Sequence, residues 1–282
     1  MKSLKVKAPA KINLTLEVLN KREDGFHNIK SIMQAINLYD YLTVTVDNCD
    51  GIEINLDGNS KQIPYNEKNL VYKAAIKFLE KTGIKDKKIS FYIEKNIPVE
   101  AGLAGGSTDG AAAFFALNKL FDDCLTKNEL HELCTTLGSD LNFCLEGGTC
   151  LCTSRGEITQ PLPTPELDVC LIKPLDFGIS AKEAYTKFSQ LKEKKILDNT
   201  EKIIELLKSG RFDNSLIYNS LEKAVFDDYD ALQNIKLQLP SSLMSGSGPT
   251  YFVLQPKINC DFGKDYLVIE GLKSIRTGVE VI

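Results

Sequence analysis

Between Pro98 and Phe121 the chain reads Pro-Val-Glu-Ala-Gly-Leu-Ala-Gly-Gly-Ser-Thr-Asp-Gly and then continues in alanine and apolar residues. Glycines at 102, 105 and 106 allow a backbone to close around phosphate oxygens that a Cβ would hold off. Phe114, Leu117 and Phe121 follow at helical spacing, so the loop ends where a helix starts. Unpaired N–H groups and the positive end of the helix dipole point outward together at such a junction, and both favour an anion. The expected chemistry is the holding of a nucleotide triphosphate. The loop is not a Walker A sequence, because Gly106 is followed by Ser107 with no lysine. Nor do Gly102, Gly105 and Gly106 fit G-x-G-x-x-G. A phosphate cradle here is of a third type.

Other reactive side chains give weaker signals. The eight cysteines, at 49, 124, 134, 144, 150, 152, 170 and 260, form no C-x-x-C pair and mostly lie in apolar stretches. There they read as small hydrophobes and reduced thiols, which fits a cytoplasmic protein better than a zinc or disulfide framework. The formal net charge is −4 and the isoelectric point near 5.4, which speaks against a nucleic-acid surface. No apolar run approaches the roughly 20 residues of a membrane span, and lysines at 2, 5, 7 and 11 interrupt any signal-peptide core. Neither a nucleic acid nor a membrane is therefore expected as partner. With 43% hydrophobic and 26% charged residues in 282, the composition is that of a globular protein of one large or two ordinary domains.

The elements that must carry the loop follow from periodicity. Leu4 to Ala8 and Ile12 to Val18 alternate like half-buried strands, and Asn20 to Asn28 is a polar turn. Strands are expected at Tyr41 to Val46, Ile52 to Leu56 and Ile89 to Ile97, and a helix at Asn69 to Thr82 stopped by Gly83. Thr126 to Glu129 is a capping box for a helix that ends at Gly138, and Thr149 to Thr153 is a strand. Three prolines in Gln160 to Glu166 suit a linker or an edge crossing. Domains of 1–159 and 160–282 are expected on that basis. The second half reads as a buried strand at Val169 to Ile172, a capped helix from Ser180 carrying Tyr185, and a charged stretch from Lys192 to Lys195. Helices at Glu201 to Lys208 and Leu221 to Leu237 follow, then a small-residue loop, Ser245 to Pro249, before a strand at Tyr251 to Leu254. Mixed strands and helices without regular βα alternation point to an α+β architecture.

Pro9-Ala10-Lys11-Ile12-Asn13, the Pro98 to Asp109 loop, and Ser245-Gly246-Ser247-Gly248 together resemble the three motifs of the GHMP kinases. Arg22-Glu23-Asp24-Gly25-Phe26-His27 and Gly138-Ser139-Asp140 resemble the branch that phosphorylates a cytidine-diphosphate-linked methylerythritol in the non-mevalonate isoprenoid route. The resemblance spans essentially the whole chain. It implies an N-terminal domain like domain 2 of ribosomal protein S5, a ferredoxin-like C-terminal domain, and a cleft between them. It also implies transfer of the γ-phosphate of ATP to the substrate's 2-hydroxyl, with Mg²⁺ assisting.

Residue by residue, the resemblance implies that the backbone of Pro98, Val99, Glu100, Ala101, Gly102, Leu103, Ala104, Gly105, Gly106, Ser107 and Thr108 wraps the ATP phosphates. Either Ser107 or Thr108 then offers a hydroxyl to Mg²⁺ or phosphate, the metal ligands being open. Where the family usually has Gly-Gly-Ser-Ser-Asp-Ala, this chain has Gly-Gly-Ser-Thr-Asp-Gly. Asp140 is the implied general base and Lys11 the cation beside it. Asn13 and His27 face the substrate, His27 reading the cytosine edge while Phe26 and Tyr185 sandwich the ring. Taken singly, each of these residues also has an ordinary structural explanation, such as a turn aspartate or an exposed strand lysine. Two rival readings stand beside this one: a GHMP kinase for mevalonate or homoserine, and a non-catalytic S5-like RNA-binding module. The first has no use for Asp24-Gly25-Phe26-His27, and the second lacks a basic, aromatic stripe.

Overall fold

The computed structural model describes residues 1–192 and 197–282. In chain order its regular elements begin with β1 (Lys2–Lys21), β2 (His27–Asn48), β3 (Ile52–Gly58), α1 (Leu70–Thr82), β4 (Lys87–Glu94) and α2 (Gly105–Leu120). They continue with α3 (Lys127–Leu137), α4 (Leu141–Glu146), β5 (Thr149–Ser154), β6 (Ile158–Leu162), β7 (Asp168–Pro174), α5 (Ala181–Gln190) and α6 (Asn199–Lys208). The last are β8 (Tyr218–Asn219), α7 (Glu222–Val225), α8 (Asp230–Gln238), β9 (Leu243–Met244), β10 (Tyr251–Val253), β11 (Tyr266–Lys273) and β12 (Glu280–Val281).

Among the described residues these strands form an eight-stranded and a four-stranded sheet. The first follows the order β12-β1-β2-β4-β3, with β5 and β6 continuing from β2 and the short β8 beside β1. The second runs β11-β7-β10-β9. The expected α+β character is thus observed. β1 and β2 pair antiparallel along nearly their whole lengths, with the register shifting at Pro9/Ala10, Asn13/Thr15 and Val18/Lys21. The two strands expected at Leu4 to Ala8 and Ile12 to Val18 are therefore one. Pro9 brings no N–H to the ladder, and the shift beside it absorbs that loss without ending the strand.

Helices α1, α2 and α4 pack on one face of the large sheet, and α3 packs against these helices. The alanine run explains α2: Ala111, Ala112, Ala113 and Ala116 are all fully buried, and small side chains let the helix sink between α1 and the sheet, where Val44, Ile89 and Phe91 meet Phe78 and Phe114. Asn69 caps α1, its side chain accepting from the Val71 N–H, and Gly83 ends it in the left-handed region. Thr126 and Glu129 complete both bonds of the capping box of α3. In the second half, Cys170 and Ile172 of β7 face α5 and α8, while Val169 and Leu171 face Ala10, Ile12 and Leu14 of β1. β7 is buried on both sides, and the middle of β1 is the floor shared by the two sheets.

Several expectations are corrected. The strand expected to reach Ile97 stops at Glu94, because the Asn96 and Ile97 N–H groups donate to Asp40 Oδ1 at 2.6 and 2.8 Å instead of to a neighbouring strand. The helix expected from Leu221 to Leu237 is broken into α7, a 3₁₀ turn at Phe226–Asp228 and α8. Tyr229 is extended there: its ring stacks on Phe177 at 4.5 Å and its hydroxyl donates to Glu183. The proline-rich stretch from Gln160 is at first strand, in β6 paired with β5. β8, β11 and β12 carried no expectation. Of the charged Lys192 to Lys195 stretch, only Lys192 lies within the described residues.

Candidate active site

A cleft of about 1050 Å³ opens where α2, the middle of β1, the β1–β2 turn and α5 converge. One wall is the glycine loop. Pro98 to Gly102 and Ala104 to Ser107 line the cleft, whereas the Leu103 side chain turns into the core. Ala104 caps α2 in a left-handed conformation with no side-chain hydrogen bond, and the first turn carries no acidic residue. The N-terminal N–H groups of a sixteen-residue helix are thereby left for an anion in the cleft. Ser107 lines the cleft, but Thr108 is fully buried.

Two bonds fix this loop to β1. The Lys11 N–H donates to the Leu103 carbonyl at 3.1 Å, and Lys11 Nζ donates to the Gly102 carbonyl at 2.9 Å. Gly102 has φ +72°, and a Cβ on it would come within 2.0 Å of the Ser245 carbonyl. The Ser245–Gly248 motif is thus pressed against the back of the loop, and Ser245 Oγ donates to the Gly102 carbonyl as well. Gly246 leaves room for the lysine, since a Cβ there would lie 3.0 Å from Lys11 Nζ.

Lys11 is almost wholly enclosed, and its ammonium lies 3.7 Å from Asp140 Oδ2. Its other acceptor is Asn13 Oδ1, at 2.7 Å. Asp140 sits just before α4, makes no capping bond, and keeps 28% of its side chain exposed toward the cleft. The arrangement brings together a buried cation, an accessible carboxylate and the helix terminus that follows the loop. Those are the parts needed to hold a phosphoryl group and take a hydroxyl proton.

The opposite wall carries His27, Phe26 and Tyr185. Tyr185 stacks on His27, centroids 5.4 Å apart and planes 18° apart, and Ser189 Oγ lies 3.1 Å from His27 Nε2. Burial, and then Asp140, push the Tyr185 phenol well above its usual range, so it acts here as a neutral aromatic. Phe26 is 51% exposed at the turn, with the Arg155 guanidinium 5.1 Å over its ring. All the residues expected to face the substrate line the one cleft.

Sequence reasoning missed two features. Arg155 offers a planar cation on the aromatic wall, and no local motif singles it out. Lys95, behind the loop, donates to Asp109 at 2.7 Å and also bonds Asp40, all three nearly without exposure. Burial pushes the Asp109 carboxyl up to about 7, with Lys95 pulling against it and Asp40 adding to it. Burial pulls Lys95 down, but its two carboxylates outweigh that and its net direction is up. The cluster ties β2, the end of β4 and the start of α2 together. Its position inside the glycine motif was visible in Asp109; its partners, distant in sequence, were not.

The GHMP kinases N terminal domain family matches residues 69–148. The chain is 39% identical over 256 residues to a 4-diphosphocytidyl-2-C-methyl-D-erythritol kinase of Clostridium perfringens, covering 88% of each chain. It is 43% identical over 260 residues to one of Bacillus cereus, covering 89% of this chain and 88% of that one. Its structure superposes on a crystal structure of 4-(cytidine 5'-diphospho)-2C-methyl-D-erythritol kinase with a TM-score of 0.72 at 31% identity, covering 89% of this chain and 90% of that one.

Proposed function

The chain belongs to the 4-diphosphocytidyl-2-C-methyl-D-erythritol kinase family of GHMP kinases, and from that premise we infer its reaction. The γ-phosphate of ATP passes to the 2-hydroxyl of 4-(cytidine 5'-diphospho)-2-C-methyl-D-erythritol, giving the 2-phosphate and ADP. The fold is the two-domain α+β fold of that superfamily, and we divide it at 1–159 and 160–282. The observation that carries the reading is the meeting, in one cleft, of the uncapped start of α2, the Lys11–Asp140 pair and the His27–Tyr185 wall.

Phosphoryl transfer needs positioning and charge neutralisation more than covalent chemistry. In the proposed mechanism the loop amides hold the ATP phosphates and Asp140 accepts the proton of the attacking hydroxyl. Lys11, held by Asn13 and Gly102, offsets charge on the reacting oxygens. The cytosine ring takes its place against His27, Phe26 and Tyr185. No group of three or more His, Cys, Asp or Glu among the described residues forms a metal cage. Ser107 is the cleft-lining loop hydroxyl that would help hold a Mg²⁺ arriving with the nucleotide. When bound, the ion would help neutralise the transferring group's charge. A cytoplasmic setting is part of this reading, and no described helix is long and apolar enough to cross a membrane.

The test is an ADP-release assay with ATP, Mg²⁺ and the cytidylated methylerythritol, followed by phosphorus NMR to locate the new ester. Phosphate on the 2-hydroxyl is expected. Transfer to mevalonate or homoserine but not to the cytidylated compound would overturn the assignment.

A further inference from the structure

Beneath the catalytic pair the Lys11–Asn13 bond continues into a buried hydrogen-bond chain whose far end has no part in the reaction so far. Lys11 Nζ donates to Asn13 Oδ1 at 2.7 Å. Asn13 Nδ2 donates to Ser31 Oγ at 2.9 Å, and Ser31 Oγ donates to the Thr15 carbonyl at 2.5 Å. Ser31 and Thr15 are fully buried and Asn13 is 1% exposed, so bulk water does not substitute for any partner. Ser31 belongs to β2 and the other three to β1, paired across the register shift at Asn13/Thr15.

Donor counting fixes the direction of every bond. A serine hydroxyl has one hydrogen, and a carbonyl only accepts, so the Ser31 hydrogen goes to Thr15. Ser31 Oγ must then accept from Asn13, which requires the amide NH₂ on that side. The amide oxygen is left facing Lys11, an ammonium that only donates. With the amide reversed, NH₂ would meet ammonium, and a hydroxyl already committed elsewhere would meet a carbonyl oxygen. Both ends of the chain thus agree on one orientation, and Ser31 fixes it from the side away from the cation.

We propose that Ser31 is a positioning residue for phosphoryl transfer: by holding the Asn13 amide in one orientation, it aims the Lys11 ammonium between the Gly102 carbonyl and Asp140. This rests on the kinase reading above. Ser31 touches neither substrate nor nucleotide, and it acts only through Asn13. A contact misplaced by a fraction of an ångström at the reacting groups affects turnover more than ground-state binding. Threonine keeps the hydroxyl and its bonds; alanine removes them.

The experiment measures kcat and both KM values for Ser31→Ala, Ser31→Thr, Asn13→Ala and the double variant Ser31→Ala/Asn13→Ala, with thermal melts alongside. Ser31→Ala is expected to lower kcat by about ten- to a hundredfold with the KM for ATP little changed, and Ser31→Thr to restore it. In the Asn13→Ala background there is no amide to orient, so adding Ser31→Ala should change kcat by less than about twofold. Wild-type kcat in Ser31→Ala overturns the proposal. So does an equal fold-loss in both backgrounds, or a Ser31→Thr variant as impaired as Ser31→Ala. Should Ser31→Ala fail to fold, Ser31→Cys, whose thiol is a much weaker donor and acceptor, replaces it throughout the same cycle, and a smaller kcat loss confined to the background that keeps Asn13 is then the expected result. Failure of the kinase reading would show separately, as a wild-type protein with no transfer to the cytidylated substrate.

Discussion

Lys11 Nζ and Asp140 Oδ2 lie 3.7 Å apart, beyond hydrogen-bonding distance yet close enough for strong Coulomb attraction. A hydroxyl oxygen placed to one side of that line can touch both, giving its proton to the carboxylate while the ammonium steadies the alkoxide. Asp140→Asn and Lys11→Ala should each cut kcat by at least the roughly 10²–10⁴-fold associated with a single acid–base group. Calorimetry should find ATP binding within a few-fold of wild type; near-normal turnover in either variant removes that residue from the mechanism.

The two hydroxyls of the glycine loop should separate cleanly. Ser107 lines the cleft and Thr108 is sealed in the core. Ser107→Ala is expected to lower turnover and raise the Mg²⁺ concentration needed for half-maximal rate. Thr108→Val, nearly equal in volume, should leave both alone. A Mg²⁺ requirement that shifts with Thr108 and not Ser107 reverses the assignment.

Half of the Phe26 surface is exposed, so Phe26→Ala should barely move the melting temperature. Its effect belongs to the cytidylated substrate: loss of a stacked ring is worth about 1–3 kcal/mol, a rise in that KM of roughly 5- to 150-fold, with the KM for ATP unchanged. An unchanged substrate KM argues that the base does not rest on this ring.

Stability should carry a pH signature from Asp109. Its carboxyl titrates at about 7 in the folded protein against 3.8 ordinarily. The folded state therefore binds a proton that the unfolded chain has already released, and the resulting stabilisation is full below about pH 3.8 and lost as pH rises to about 7. Asp109→Asn should flatten that part of the profile, seen as the wild-type minus variant difference in urea midpoint between pH 5 and pH 8. A difference that does not change across this window refutes it. Glu146, held at about 2 mainly by its bond from His131, slopes the other way and is common to both proteins.

Gly102→Ala tests the loop's backing. A left-handed φ together with a 2.0 Å approach to the Ser245 carbonyl leaves no place for a methyl group. The strain of such a residue alone is about 1–3 kcal/mol, and displacement of the Ser245 motif adds to it. Lower melting temperature and a raised KM for ATP are both expected; a variant with wild-type values in each would show that the loop yields easily.

What could be read from the residues was what neighbours in sequence encode. The helix start at Asn69, the capping box at Thr126, the buried β7 and the glycine loop at the start of α2 were legible because their signals are local. Lys11, Asp140 and His27 could be singled out only through the motifs they sit in, since a lone lysine or aspartate has many uses. The Lys95–Asp40–Asp109 cluster and the Arg155–Phe26 contact join residues brought together only by folding. The break at Tyr229 was invisible for the same reason, its helical period being overridden by Phe177 and Glu183. β8 and β12, two residues each, are too short to show any period.

One ammonium serves two masters in this protein. Lys11 holds the carbonyl of Gly102, on the side where the nucleotide is expected, and faces Asp140, on the side of the acceptor. If filling one side changes affinity on the other through that ammonium, filling the second side must change affinity on the first by the same factor. Cooperativity between the two substrates, or its absence, therefore reports how strongly a single ammonium couples the two sides of the cleft.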